Sequence, residues 1–292
     1  MKMFKNNRAL LLLFVIVTAA TFLILTVTVP EAETMLTDTA AKSAEKQKMD
    51  ILRLTSIGDS LTEGIGDLTE EGGYVPLLQK NLEELEIAEV VQADNFGKSG
   101  DRSDQILKRI KKDDSLQQSV AKANLILLTV GGNDLMKTVK SDIFNDIELA
   151  TFKKPLKTYQ AYLQKIYDEL RNLNPTATIY QLGIYNPFYL NFPDLTEMQD
   201  VVDFWNQGSQ EFVQSQDNAY FVPINDDIYS GLTTLATTDS SETAGSVTQN
   251  DSINNLISGE DNFHPNNLGY QIIANAFRDK IAGTKQSWLQ TN

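Results

Sequence analysis

Apolar positions along this chain repeat with two different periods, and the changes of period mark out the elements. Leu52, Leu54 and Ile57 close an apolar run that reads as a buried strand over about 52–57. A helix over about 74–85 and a strand over about 88–95 follow. Ile106, Leu107 and Ile110 share one face of a helix over about 103–111. Residues 125–130 are apolar but for Thr129, as suits a strand covered on both faces. Tyr159, Leu163, Ile166 and Leu170 form the stripe of a helix over about 156–173, which Asn174-Pro175 stops. A strand over about 178–184, a helix near 197–214, a short strand at 220–223 and a last helix over about 268–281 complete the series. Strand and helix alternating in this way predict an α/β protein: a parallel sheet between helices, joined by right-handed crossovers.

Two stretches break the rhythm. Residues 9–29 carry no charge and are mostly apolar; as a helix they would span roughly 31 Å, close to the thickness of a bilayer core. Lys2, Lys5 and Arg8 precede them. The segment is a membrane anchor or a signal peptide. Its length, and the lack of a small-x-small site before Pro30, favour a retained anchor, with the basic flank in the cytoplasm and the rest extracytoplasmic. Cleavage of the segment would make the protein secreted. Residues 30–50 are polar and aperiodic, and read as a tether. A folded domain is expected over 51–283 and a tail over 284–292. Inside the domain, residues 225–259 are rich in Thr, Ser, Asp and Asn, and suit either a substrate-shaping loop or a plain insertion.

Charge narrows the partners. All 39 acidic residues lie beyond Pro30, where 22 basic residues oppose them, a net of about −17 for that part against −14 for the whole chain. Such a surface repels phosphate backbones and anionic lipid, which argues against nucleic acid and against electrostatic membrane docking. The chain has no cysteine and one histidine. Thiol catalysis and zinc-thiolate sites are excluded, and a dedicated transition-metal site has too few ligands.

Four blocks carry candidate chemistry. Gly58-Asp59-Ser60-Leu61 follows the first strand, so Ser60 sits just past its carboxyl end, where ligands bind in open α/β sheets. Asn95-Phe96-Gly97-Lys98-Ser99-Gly100-Asp101 follows the second strand, and Gly100 there allows a backbone N–H to approach a ligand. Gly131-Gly132-Asn133-Asp134 follows the third, and Asn133 could donate to a developing oxyanion. Asp261-Asn262-Phe263-His264-Pro265 holds the only imidazole, with a carboxylate three residues before it that can set its tautomer. Alone, the second and third blocks read more readily as turns and helix caps, with Ser103 as an N-cap, and a lone histidine near a helix start is ordinary. Asp59 and Asp134 suit turn stabilisation. Phe188, Tyr189, Phe192 and Trp205 could line an acyl pocket, although Phe204 and Trp205 suit helix packing equally.

Together and in this order, the four blocks resemble the SGNH hydrolases, also called GDSL lipases and esterases, over about 51–281. The likeness is greatest to the bacterial lysophospholipase and multifunctional esterase branch. The resemblance implies a three-layer α/β/α sandwich with a five-stranded flavodoxin-like sheet of order 2-1-3-4-5. It implies a Ser60–His264–Asp261 triad and an oxyanion site built from the N–H groups of Ser60 and Gly100 and the Asn133 amide. No cofactor and no metal are called for. The expected activity is hydrolysis of acyl esters of lipid or cell-wall glycan. Acyl or O-acetyl transfer from the same site and a non-catalytic surface-binding module are the alternatives. No G-x-S-x-G surrounds Ser60, so the nucleophile elbow of the α/β-hydrolases does not apply.

Overall fold

The computed structural model describes residues 14, 16–21, 49–142, 147–189, 195–230 and 256–289. The chain divides into two units, Met1–Lys46 and Gln47–Asn292. In the first, Phe14 and residues 16–21 are helical and exposed, with the Thr18 and Thr21 hydroxyls donating to the carbonyls of Phe14 and Val17. The remainder of the expected anchor and nearly all of the tether lie outside the described residues. Among the described residues, no helix is long and apolar enough to cross a membrane.

The second unit is built on five strands: β1 Met49–Gly58, β2 Ala88–Gly97, β3 Leu125–Thr129, β4 Thr178–Leu182 and β5 Ala219–Val222. They are all parallel and ordered β2-β1-β3-β4-β5, the flavodoxin-like order expected. Successive side chains of a strand point to opposite faces, and this sorts the core in two. Leu52, Leu54, Leu125, Leu127, Tyr180 and Leu182 meet helices α2 (Tyr74–Glu84) and α9 (Asn267–Gly283). Ile57, Ile126, Leu128 and Ile179 meet α3 (Ser103–Lys112), α4 (Asp114–Lys122), α6 (Leu149–Leu173) and α7 (Thr196–Gln214) on the other face. Strands β3 and β4 are therefore buried at every position, whereas the edge strand β2 leaves Val90 exposed.

Several elements are too short or too polar to show in the sequence pattern. These are the single turn α1 (Ser60–Glu63), α4, α5 (Gly132–Asp142), α8 (Asn225–Ser230) and α10 (Lys285–Leu289). Helix α4 has only Leu116 and Val120 to bury, and Asp113 starts it by accepting from the N–H groups of Ser115 and Leu116. α10 occupies the stretch expected as a tail and buries Trp288. α6 starts at Leu149 rather than at 156, running through Pro155. A proline in a helix costs about 3 kcal/mol, and burying Phe152 in the early turn returns about 1.5–3 kcal/mol of that.

This strand order places the site. From β1 the chain crosses to β2 on one side, and from β2 back to β3 on the other. The carboxyl ends of β1 and β3 thus form the switch point of the sheet, where a crevice opens. Ser60 leaves β1 there and Gly131 to Asp134 leave β3 there.

Candidate active site

Ser60 opens α1, and Asp59 caps that turn by accepting from the Leu61 N–H at 3.1 Å. The same carboxylate accepts from the Thr129 hydroxyl at 2.9 Å, which ties the β1 turn to the end of β3. Burial raises the Asp59 pKa, against the lowering effect of the bonds from Leu61 and Thr129. Asp59 is thus a turn-stabilising residue, as its position suggested. α1 lies directly on the end of β2, where a side chain at Gly97 would collide with the backbone of Thr62 and Glu63.

Two hundred residues later, His264 brings its Nε2 within 2.9 Å of Ser60 Oγ. Its Nδ1 lies 2.5 Å from Asp261 Oδ2. Asp261 Oδ1 accepts from the N–H groups of Phe263 and His264 at 2.9 and 3.0 Å. Burial alone would raise the Asp261 pKa, but the bonds from the His264 ring and from these two N–H groups outweigh it and hold the carboxyl below its ordinary range.

The loop bearing His264 is held from three sides. The Ser258 N–H donates to the His264 carbonyl at 2.8 Å and the Asn266 N–H to the Leu256 carbonyl at 2.9 Å, around a bridge between Ile257 and Pro265. The Tyr185 hydroxyl, beyond β4, donates to the Phe263 carbonyl at 2.8 Å. From the third side comes the loop after α1. Its Asp67 carboxylate accepts from the N–H groups of Thr69, Gly72 and Gly73 and from the Asn267 amide. Of the 225–259 stretch, 225–230 form α8 and 256–259 brace this loop, and residues 231–255 lie outside the described residues.

The second and third blocks lock together beside Ser60. Asn133 Nδ2 donates to the Asp101 carbonyl at 3.0 Å. A primary amide has two N–H groups, so the bond to Asp101 fixes the direction of the other. Asp134 accepts from the Ser103 N–H at 2.9 Å and from its hydroxyl, capping α3 from a neighbouring element. Ser103 is thus the first helical residue rather than the N-cap, which is Arg102. Burial raises the Asp134 pKa against these two bonds. Gly100 is exposed with φ +79°, a backbone state that disfavours any side chain.

A serine, an imidazole and a carboxylate in one chain of contacts, beside an oriented amide, suit acyl transfer, and the comparisons with known proteins agree. The profile of the GDSL-like Lipase/Acylhydrolase family matches residues 56–272. The chain belongs to that family. It is 31% identical over 233 residues to YpmR of Bacillus subtilis, covering 80% of this chain and 82% of that one. It is 28% identical over 178 residues to the spore germination lipase LipC of Bacillus licheniformis, covering 60% and 79%. The lipase Lip_vut3 from a goat rumen metagenome shares the fold at a TM-score of 0.62 and 22% identity, over 78% and 96% of the two chains. The protein is a GDSL-type hydrolase of ester bonds.

From Ser60 and His264 this GDSL hydrolase opens into a cavity of about 620 Å3, mouth included. Its walls are mainly apolar, with Leu135, Met136, Ile184, Phe188, Met198 and Val202 prominent. Phe188 is thus placed as the sequence suggested, while Tyr189 is not among the lining residues and Phe192 lies outside the described residues. Trp205 is fully buried and stacked on Tyr159 at 5.1 Å, behind Gly131, so packing is its role. Met136, Met198 and Val202 went unrecognised because a pocket wall and a core face share one helical period. Only the neighbouring elements distinguish them.

Proposed function

We propose that this protein hydrolyses esters of apolar acyl chains longer than acetyl, with Ser60 as nucleophile, His264 as general base and acid, and Asp261 as the group that orients the ring. The observation that carries the reading is the 2.9 Å contact between Ser60 Oγ and His264 Nε2 at the mouth of an apolar cavity. His264 takes the serine proton as Oγ attacks the acyl carbon, and returns it to the leaving alcohol. Water activated by the same nitrogen then releases the acid. The N–H groups of Ser60 and Gly100 and the free N–H of Asn133 hold the oxyanion. The name of the relative LipC, a lipase, points the same way as the apolar walls. The apolar run at 9–29, behind Lys2, Lys5 and Arg8, supports a tether that holds the enzyme on the outer side of a membrane.

The test is an ester series from acetyl to long-chain acyl, run on the full chain and on Ser60→Ala. Rising kcat/KM beyond acetyl, loss of turnover in Ser60→Ala and recovery of the wild-type enzyme with membranes are expected. A maximum at acetyl would refute the acyl preference, and turnover by Ser60→Ala would refute the nucleophile.

A further inference from the structure

Arg109 touches none of the groups just named, yet the two segments that carry Ser60 and Gly100 meet on its guanidinium. It projects from α3 with its side chain 20% exposed. Nε donates to the Asp101 carboxylate at 2.6 Å, Nη1 to the Phe96 carbonyl at 2.9 Å, and Nη2 to the Gly58 carbonyl at 2.8 Å. Gly58 ends β1 two residues before Ser60, and Phe96 lies at the end of β2. Asp101 follows Gly100 and is itself 4% exposed. The Gly58 carbonyl also accepts from the Lys98 N–H at 3.0 Å, and the Asp101 N–H donates to the Lys98 carbonyl at 3.2 Å. The turn 98–101 is thereby drawn against β1. Its outward link is the Asp101 carbonyl, the acceptor of Asn133 Nδ2.

We infer that Arg109 is a positioning residue for the oxyanion site, acting through Asp101 on Asn133 and on the turn of Gly100. This rests on the roles proposed above for Gly100 and Asn133. A guanidinium suits the task because its N–H groups are fixed in one plane and can serve three acceptors at set angles. An ammonium is a compact point charge and cannot hold the same three. The geometry explains why a cation is spent here on two carbonyls and a single carboxylate. The bonds fix the relative position of two strand ends and one turn, and a donor misplaced by about 1 Å costs as much as 10²-fold in rate.

The experiment is a double-mutant cycle on the full chain: Arg109→Met, Asn133→Ala and the pair, with kcat and KM measured on a short-chain nitrophenyl ester and melting followed by circular dichroism. Arg109→Met is expected to lower kcat by about 10–100-fold with KM within about threefold. In the Asn133→Ala background the same substitution should cost clearly less than in the wild type, because one of the two donors it positions is gone and only the Gly100 turn remains. Arg109→Ala should regain kcat with added methylguanidinium. Equal losses in both backgrounds, or a lower melting temperature with kcat unchanged, would overturn the inference and leave Arg109 a stabilising residue only. If Arg109→Met does not fold, Arg109→Lys carries the same cycle, since it keeps the charge but lacks the fork. Wild-type kcat in Asn133→Ala alone would refute the earlier oxyanion reading instead, so the two failures are distinct.

Discussion

The carboxylate of Asp261 offers a prediction that runs against chemical similarity. Its Oδ1 accepts two backbone N–H bonds, from Phe263 and His264, while Oδ2 faces His264 Nδ1. Replacing Asp261 with Asn keeps the shape, but the amide has a single acceptor. Satisfying the two backbone donors takes the amide oxygen, and this turns the NH2 group onto Nδ1. Flipping the amide would aim that NH2 at two N–H groups and leave them unpaired. With a donor opposite it, Nδ1 must be unprotonated, so the ring proton moves to Nε2, which lies 2.9 Å from Ser60 Oγ. A protonated Nε2 cannot take the serine proton. A reversed tautomer of this kind costs about 10⁴ in kcat, or about 5.4 kcal/mol at 1.36 kcal/mol per tenfold. Asp261→Ala removes the orienting group but leaves the ring free to adopt either tautomer, so its loss should be smaller. Initial rates on a nitrophenyl ester, with thermal melting as a control, compare the two variants. Asp261→Asn should melt close to the wild type because both backbone bonds survive. An Asn variant more active than the Ala variant, or within about tenfold of the wild type, would refute the tautomer argument.

Two further outcomes follow from the packing and charge around the site. Gly97→Ala places a methyl group against the backbone of Thr62 and Glu63, and overpacking of this kind costs about 1–3 kcal/mol. Melting should fall by about 2–4 °C per kcal/mol for a domain of this size, and an unchanged melting temperature would show that α1 yields freely. Asp67 has a pKa held below the ordinary 3.8: burial pushes it up, but bonds from Thr69, Gly73 and Gly72 outweigh that. Between the folded value and 3.8 the unfolded chain binds more protons, so stability from this group is complete above 3.8 and is lost as pH falls through the folded value. Asp67→Asn should therefore flatten the loss of stability below about pH 4; an unaltered acid limb in chemical unfolding would exclude this source.

The fold could be read from the chain because it rests on local periodicity, and the proposed catalytic trio because four blocks in order resemble one family. Leu125 to Val130 is apolar but for Thr129, because a strand packed on both faces has no solvated side, and that calls for a sheet covered twice. Ser60, Gly100 and Asn133 were legible because each follows a strand end directly. With one imidazole in the chain, His264 had no competitor. Arg109 carries no such mark: nothing in its helical position distinguishes a solvated arginine from one bound to Gly58, Phe96 and Asp101. Met198 and Val202 have the spacing of any buried helix face, and only their place opposite Ile184 and Phe188, in the segment after β4, makes them a pocket wall. Asp134 reads as a turn residue of its own segment but caps α3 instead. Local periodicity therefore determines which residues leave water. Which residues meet one another across distant segments is decided by the order of the strands, because the switch between β1 and β3 brings together groups the sequence keeps far apart.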